Sequence, residues 1–164
     1  MYMIETIDTQ EHYIKLENSK GITPAHIEFF RYIVAGIEIC FGVTIEELLK
    51  EGKYGDASVY DARRIAIAIF DEQFHLKDAL TGLIFKKNRS TIIHSLKQHQ
   101  SFMDASNEHE YKEKVNRFKL FVIKDFSFAL KKELFSRNEV LEILKFNGVK
   151  HPIFPLSFGN PPTM

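Results

Sequence analysis

The sequence has 164 residues, of which 45% are hydrophobic and 27% are charged, and its 22 basic residues are balanced by 22 acidic ones. This length suits one compact domain, and the apolar content excludes an intrinsically disordered chain. Because the net charge is zero, only a local cluster of basic residues can indicate a nucleic acid or a membrane surface as partner.

The N-terminal segment, residues 1–22, is interpreted as an extension of the domain. It lacks the basic and apolar regions of a secretory signal, and no apolar run in the chain approaches the roughly 20 residues that span a bilayer. A single cysteine, Cys40, excludes an intramolecular disulfide and agrees with a reducing compartment. We therefore expect a cytoplasmic protein without a membrane partner.

Helical periodicity begins at Thr23-Pro24, a pair typical of a helix start, and continues to Gly42, a natural C-terminal cap. Cys40 lies in this apolar pattern, which predicts a buried thiol. Thr44 opens a short helix with a capping box. The next helix, 58–74, contains "IAIAIF", which is apolar nearly all round and predicts the buried centre of the domain. The predicted fold class is all-α, a helical bundle.

A short helix at 76–84, the turn "KKN" and a helix at 89–103 then form a helix-turn-helix candidate. Between Ala79 and Met103 there is no Asp or Glu, whereas four basic residues fall inside this window: Lys86, Lys87, Arg89 and Lys97. A helix that recognises DNA needs such a composition, because phosphates repel carboxylates and bind basic residues. The alternative is a solvated face on an ordinary helix pair.

Helical spacing divides the 89–103 helix into two faces. The apolar residues predicted to pack inward are Ile92, Leu96 and Met103. The polar residues predicted on the opposite face are Thr91, His94, Gln98 and Ser101.

The C-terminal part, residues 123–164, is predicted to be a tail that contains a helix and then several prolines. A capping box at 136–139 opens the helix, and Asn147-Gly148 ends it. The aromatic segment "FSFALKKELF" could contact a second copy of the chain or another protein.

Four blocks occur in order along the chain: "FGVTIEELL", "SVYDARRIAIAIF", "RSTIIHSLKQH" and "EYKEKVNRFKLFV". Over about residues 33–122, a little over half of the chain, they resemble the C-terminal DNA-binding domain of the bacterial chromosomal replication initiator DnaA, whose fold is related to the Trp repressor. The most specific block, 90–94, resembles the recognition-helix signature of that family. The resemblance implies a helix-turn-helix domain over 23–122 that places the 89–101 helix in the major groove of double-stranded DNA.

The chain departs from the family pattern at several positions. Asn88 and Arg89 stand where the family has an acidic residue and a histidine that the resemblance implies touch bases. Asparagine pairs well with adenine and arginine with guanine, so a different base preference is expected. The loop "KEGKYGDASVYD" lacks the strongly basic character of its family counterpart, and the segment between Arg63 and Ser90 is one residue shorter.

The nucleotide-binding module of the initiator is not expected, because no G-x-x-x-x-G-K-[ST] motif occurs. We therefore expect a stand-alone DNA-binding domain. Its biological role could be replication control, transcription or the maintenance of a mobile element.

Nine residues are predicted to contact DNA: Lys86, Lys87, Asn88, Arg89, Ser90, Thr91, His94, Lys97 and Arg63. Structural alternatives stay open for several of them. Asn88 could be the N-cap of its helix, the hydroxyl groups of Ser90 and Thr91 could be capping groups, and His94 could be an ordinary packed histidine. Of the two arginines at 63–64, one is expected to reach DNA and the other to pair with an acid such as Asp61.

Catalysis, a metal and a cofactor are not expected. The seven histidines are scattered, and no H-E-x-x-H or C-x-x-C spacing occurs. The alternative to DNA binding is a protein–protein interaction module that kept the fold, with a partner or a second copy held through the C-terminal tail.

Overall fold

The computed structural model describes residues 6–50 and 57–124, with side chains through residue 120. Within these residues every regular element is a helix, which confirms the all-α class for this part of the chain. In chain order the helices are α1 (Ile7–Glu17), α2 (Pro24–Phe41), α3 (Ile45–Leu49), α4 (Ala57–Phe74), α5 (Asp78–Phe85), α6 (Arg89–Asp104) and α7 (His109–Lys124).

The helix starts follow from local capping chemistry. The Thr23 side chain accepts from the backbone N–H of His26, and Pro24 occupies the first helical position of α2. Thr44 and Glu47 form the predicted capping box of α3. Gly42 ends α2 in the left-handed conformation, with φ 68°. These predictions are confirmed.

Helix α4 forms the centre of the core. Its buried residues include every position from Ile65 to Phe70, as the apolar run predicts. Aromatic rings join it to its neighbours: Phe85 of α5 meets Phe30 of α2 at a centroid distance of 5.1 Å and Phe70 of α4 at 5.9 Å, both nearly perpendicular. Such edge-to-face pairs add to the free energy of area burial.

Helix α1 lies in the segment interpreted as an N-terminal extension, where the sequence predicted no helix. Tyr13 and Leu16 are buried, and the Tyr13 ring packs 6.1 Å from Phe30. The Arg31 guanidinium lies 3.6 Å above the Tyr13 ring centroid. The hydrophobic periodicity of α1 is weak because its buried face combines the apolar Tyr13 and Leu16 with the polar Thr9 and His12.

Cys40 differs from its prediction, since its side chain is half-buried rather than buried. It lies in the last turn of α2, next to the exposed Ile39, where the helix turns one side toward solvent.

The chain divides into two compact units between Ser106 and Asn107. In the second unit, α7 buries Tyr111, Val115 and Phe118, which share one helix face. Helix α7 continues past the predicted domain boundary at 122/123. The division into 23–122 and 123–164 stays a prediction. The predicted C-terminal helix and proline-containing tail, at 125–164, lie outside the described residues.

Candidate nucleic-acid interface

Three residues connect α5 to α6, and a glycine fixes their path. Lys86 caps α5 in the left-handed conformation, with φ 55°, and its N–H donates to the carbonyls of Gly82 and Leu83. The N–H of Lys87 donates to the Gly82 carbonyl at 2.8 Å. A Cβ at position 82 would lie 2.5 Å from the Lys87 carbonyl oxygen, so the turn closes only over a glycine.

Asn88 begins α6 as its N-cap. Its Oδ1 accepts from the backbone N–H of Thr91 at 2.8 Å and from the Ser90 hydroxyl at 2.8 Å. Of the two alternatives for Asn88, the structure therefore shows the capping one. The first turn of α6 leaves Arg89 and Ser90 exposed to solvent.

Helix α6 presents three different faces. Ile92 is its only buried residue, and the inward-facing Leu96 and Met103 are half-buried. Four exposed residues at successive spacings of four, three and four follow one line along the helix, which we name the outer stripe: Ser90, His94, Lys97 and Ser101. Beside this stripe, Thr91, Ser95 and Gln98 face an open cleft.

This cleft, which we name the basic cleft, has a volume of about 990 Å³. Its walls come from α1, α4, α5, the α5–α6 turn and α6. Of the residues described at 6–50 and 57–120, no Asp or Glu lines it, whereas five cationic side chains do: Lys15, Arg63, Arg64, Lys86 and Lys87. A concave surface lined by charges of one sign focuses their field and attracts anions.

Three of these cations bond to the protein itself. Arg63 is buried, and its Nε and Nη2 donate to the carbonyls of Leu48 and Glu47 at 3.2 and 2.9 Å. Burial lowers the pKa of its guanidinium from the usual range. Arg63 thereby connects α4 to the end of α3 and stabilises the wall of the cleft. The sequence predicted a DNA contact at this residue.

Arg64 and Lys87 also make structural bonds. Arg64 donates to Asp61 Oδ1 at 2.9 Å and to Gln98 Oε1 at 3.1 Å, and thereby connects α4 to α6. It is therefore the arginine of the pair that binds Asp61. Lys87 Nζ donates to the carbonyl of Lys50 at 2.6 Å, which connects the α5–α6 turn to the end of α3.

The other predicted contacts lie on the outer stripe or in the cleft. Ser90, His94 and Lys97 belong to the stripe, and Arg89 is exposed at its N-terminal end. Thr91 and Lys86 line the cleft, which His94 also borders. Six of the nine predicted residues thus line the cleft, and the other three, Arg89, Ser90 and Lys97, are exposed on α6.

Sequence reasoning missed three residues of this region. Lys15 lines the cleft from α1, Tyr60 lines it from the first turns of α4, and Gly82 shapes the turn. Gly82 left a signal, because a glycine inside an apolar helical segment usually marks a close approach of backbone. Lys15 and Tyr60 left none, since their placement depends on tertiary packing.

Two searches of the described residues have negative results. No group of three or more His, Cys, Asp or Glu residues at 6–50 and 57–124 could hold a metal ion. No helix in the same ranges has both the length and the apolar character to cross a bilayer.

No protein-family model, curated protein or solved structure matches this chain. Conclusions about its function therefore depend on its own residues and their geometry.

Proposed function

We propose that this chain is a non-catalytic cytoplasmic protein that binds double-stranded DNA through an initiator-type helix-turn-helix. Helix α5, the turn at 86–88 and helix α6 form the motif. The outer stripe of α6 enters the major groove, and the basic cleft beside it receives the sugar–phosphate backbone of one strand.

The observation that carries this proposal is the basic cleft. Among the residues that the structure describes, five cationic side chains and no carboxylate line it, in a chain whose net charge is zero. The cleft adjoins an exposed helix face that contains no acidic residue between Arg89 and Ser101. An ordinary solvated helix pair has no need to separate its charges in this way, whereas a phosphate backbone requires it.

The conformation of Lys86 supports the resemblance to the initiator family. The family pattern has a Gly-Gly pair that aligns with residues 85–86 of this chain. Lys86 adopts a left-handed conformation, φ 55° and ψ 43°, which glycine adopts most readily. A glycine of the family pattern would suit this backbone conformation, and the lysine that stands there in this chain adds a charge.

Arg89 is proposed to contact a base edge, and Lys97 a phosphate. Arg89 is exposed at the first position of α6, where such helices approach the bases. Lys97 lies two turns later on the outer stripe. Asn88 is engaged as the N-cap, which removes its side chain from base recognition.

The test is a salt titration of binding to random-sequence duplex DNA, followed by fluorescence anisotropy. We expect wild-type affinity to fall steeply with salt and Arg89→Glu/Lys97→Glu to abolish binding. The matched control is Lys20→Glu/Lys77→Glu, which changes the net charge equally at two exposed lysines outside the cleft. Binding by the control but not by the α6 variant supports the proposal. Equal loss in both variants, or no wild-type binding at low salt, contradicts it.

A protein–protein interaction module is the second candidate function. Ile7, Ile14 and Ile39 expose 73%, 56% and 69% of their surface, which is unusual for isoleucine. The aromatic segment predicted to seat a partner lies outside the described residues. A chain that fails to bind duplex DNA but forms dimers in sedimentation analysis would favour this function.

A further inference from the structure

Helix α1 supplies one wall of the basic cleft, although it lies outside the residues that resemble the initiator domain. Lys15, in the last turn of α1, lines the cleft together with Lys86 of the α5–α6 turn. Both side chains are exposed. A cation therefore reaches the candidate interface from a helix that is not part of the helix-turn-helix.

His12 fixes the position of Lys15 relative to Lys86. The His12 ring is buried, and its Nε2 lies 2.7 Å from the carbonyl oxygen of Ile84. Lys15 follows His12 by one helical turn, so the two share a face of α1, and Lys86 follows Ile84 by two residues. One buried contact thus joins the two backbone segments that carry these lysines.

Both lysines act on the pKa of His12. Burial lowers the pKa of His12 below its usual value, and the positive charges of Lys86 and Lys15 lower it further, while the bond to Ile84 acts in the opposite direction.

Lys15 and Lys86 are also the cations of the cleft that remain available to a ligand. Arg63, Arg64 and Lys87 donate to protein oxygens, as described above. Among residues 6–50 and 57–120, neither the Lys15 nor the Lys86 side chain takes part in a hydrogen bond or an ion pair. Lys15 and Lys86 thus present two ammonium groups to the same cleft, and an anion bound there would attract both.

We propose that Lys15 and Lys86 together hold one phosphate of the DNA strand that lies in the basic cleft, while the outer stripe of α6 contacts the bases. This inference depends on the proposed DNA binding and extends the interface to α1. A cleft of about 990 Å³ is far larger than one phosphate ion, which favours a continuous sugar–phosphate strand over a free anion.

The first test compares Lys15→Ala with Lys20→Ala in the same salt titration. Lys20 is an exposed lysine five residues later that does not line the cleft. We expect Lys15→Ala to reduce the slope of log K against log salt by about one, which is on the order of tenfold in affinity near 0.1 M salt. Lys20→Ala should leave the slope unchanged. If Lys15→Ala keeps the wild-type slope while the separate variant Arg89→Glu/Lys97→Glu has lost binding, this inference is overturned. The proposed function then stays intact.

The second test asks whether the two lysines share one phosphate. In a double-mutant cycle of Lys15→Ala and Lys86→Ala, a shared phosphate predicts a combined loss smaller than the product of the single losses. Strictly multiplicative losses show two independent phosphate contacts and overturn the shared site.

NMR titration of the His12 ring gives an independent readout of the same site. Duplex DNA should raise the His12 pKa, because a phosphate between the lysines cancels their effect on the imidazole. An unchanged His12 pKa in a saturated complex contradicts the proposal. If inorganic phosphate raises this pKa equally and duplex DNA does not displace it, the site binds a small anion rather than DNA.

Discussion

Helices α4 and α6 have nearly the same length but opposite roles. Helix α4 buries nine of its 18 residues, whereas α6 buries only Ile92 among its 16. An apolar run on all sides removes α4 from water, and a polar surface keeps most of α6 in contact with it. The comparison separates stability from recognition: substitutions in α4 should unfold the protein, and substitutions on α6 should change what it binds.

The largest expected effect is the loss of Phe70 from α4. Phe70 is fully buried and packs against Phe85, so Phe70→Ala removes both the apolar area and an edge-to-face pair. We expect it to lower the free energy of unfolding by about 3–5 kcal/mol. Urea denaturation followed by circular dichroism measures this. The control is Phe102→Ala, the same truncation at a half-buried position of α6, which should cost clearly less. Equal losses of unfolding free energy in the two variants would show that α6 contributes to stability as much as α4 does.

Arg63 tests whether the buried arginine belongs to the scaffold. Arg63→Ala leaves the Leu48 and Glu47 carbonyls without their donor, which should cost about 2 kcal/mol or more. The salt dependence of DNA binding should stay unchanged in the variant that remains folded. Arg89→Ala is the opposite case, because it should leave the urea midpoint nearly unchanged and weaken DNA binding. A reduced salt slope for Arg63→Ala would identify Arg63 as a phosphate contact instead.

Substitutions of Asn88, the N-cap of α6, separate the stability of the helix from the proposed DNA binding. Asn88→Ala removes the N-cap bond to Thr91 and should lower the free energy of unfolding by about 1 kcal/mol. Asn88→Asp keeps a capping oxygen and should preserve stability, but it adds a negative charge beside the proposed DNA backbone. Thermal melts and anisotropy should therefore rank the two variants in opposite orders. If the variant with the higher melting temperature also bound DNA more tightly, the first turn of α6 would lie away from the DNA.

The smallest expected effect is a loss of stability in mild acid. Burial lowers the pKa of His12 and of His26 in the folded state, so the unfolded chain binds more protons near their usual value of 6.5. The stabilisation is complete above about pH 6.5 and is lost as the pH falls through the lowered folded pKa. Protonated His26 also cannot accept from the Thr23 N–H through Nδ1.

Urea midpoints at pH 7.5 and pH 5.5 measure this acid effect. His12→Gln can still donate to the Ile84 carbonyl but cannot take up a proton, so it should show a smaller difference between the two midpoints. The control is His94→Gln on the exposed stripe, which should keep the wild-type difference. A wild type with equal midpoints would contradict the lowered pKa of the two rings.

Local sequence signals predicted much of this structure. The caps at Thr23, Thr44 and Gly42, the buried α4 and the α5–turn–α6 unit all follow from interactions within a few residues. What the sequence did not reveal depends on contacts between distant residues. The partners of Arg63 are backbone carbonyls 15 and 16 positions away, and His12 contacts a carbonyl 72 positions away.

Helix α1 and Cys40 show two cases in which helical periodicity misjudges the burial of a residue. The buried face of α1 contains Thr9 and His12, so its periodicity carries little apolar signal. Cys40 follows an apolar pattern but lies near the end of α2, where the helix is only partly covered. Periodicity identifies which residues could be buried, and only the packing of the helices decides which ones are.

The single buried residue of α6 has a consequence for evolution. Because Ile92 anchors α6 and the outer stripe is exposed, the four positions of the stripe can be exchanged at little cost to folding. The framework of α2, α4 and α5 would then tolerate many versions of the exposed stripe. Under the proposed DNA binding, descendants of this chain can change their preferred DNA sequence by drift on one helix, without passing through unfolded intermediates.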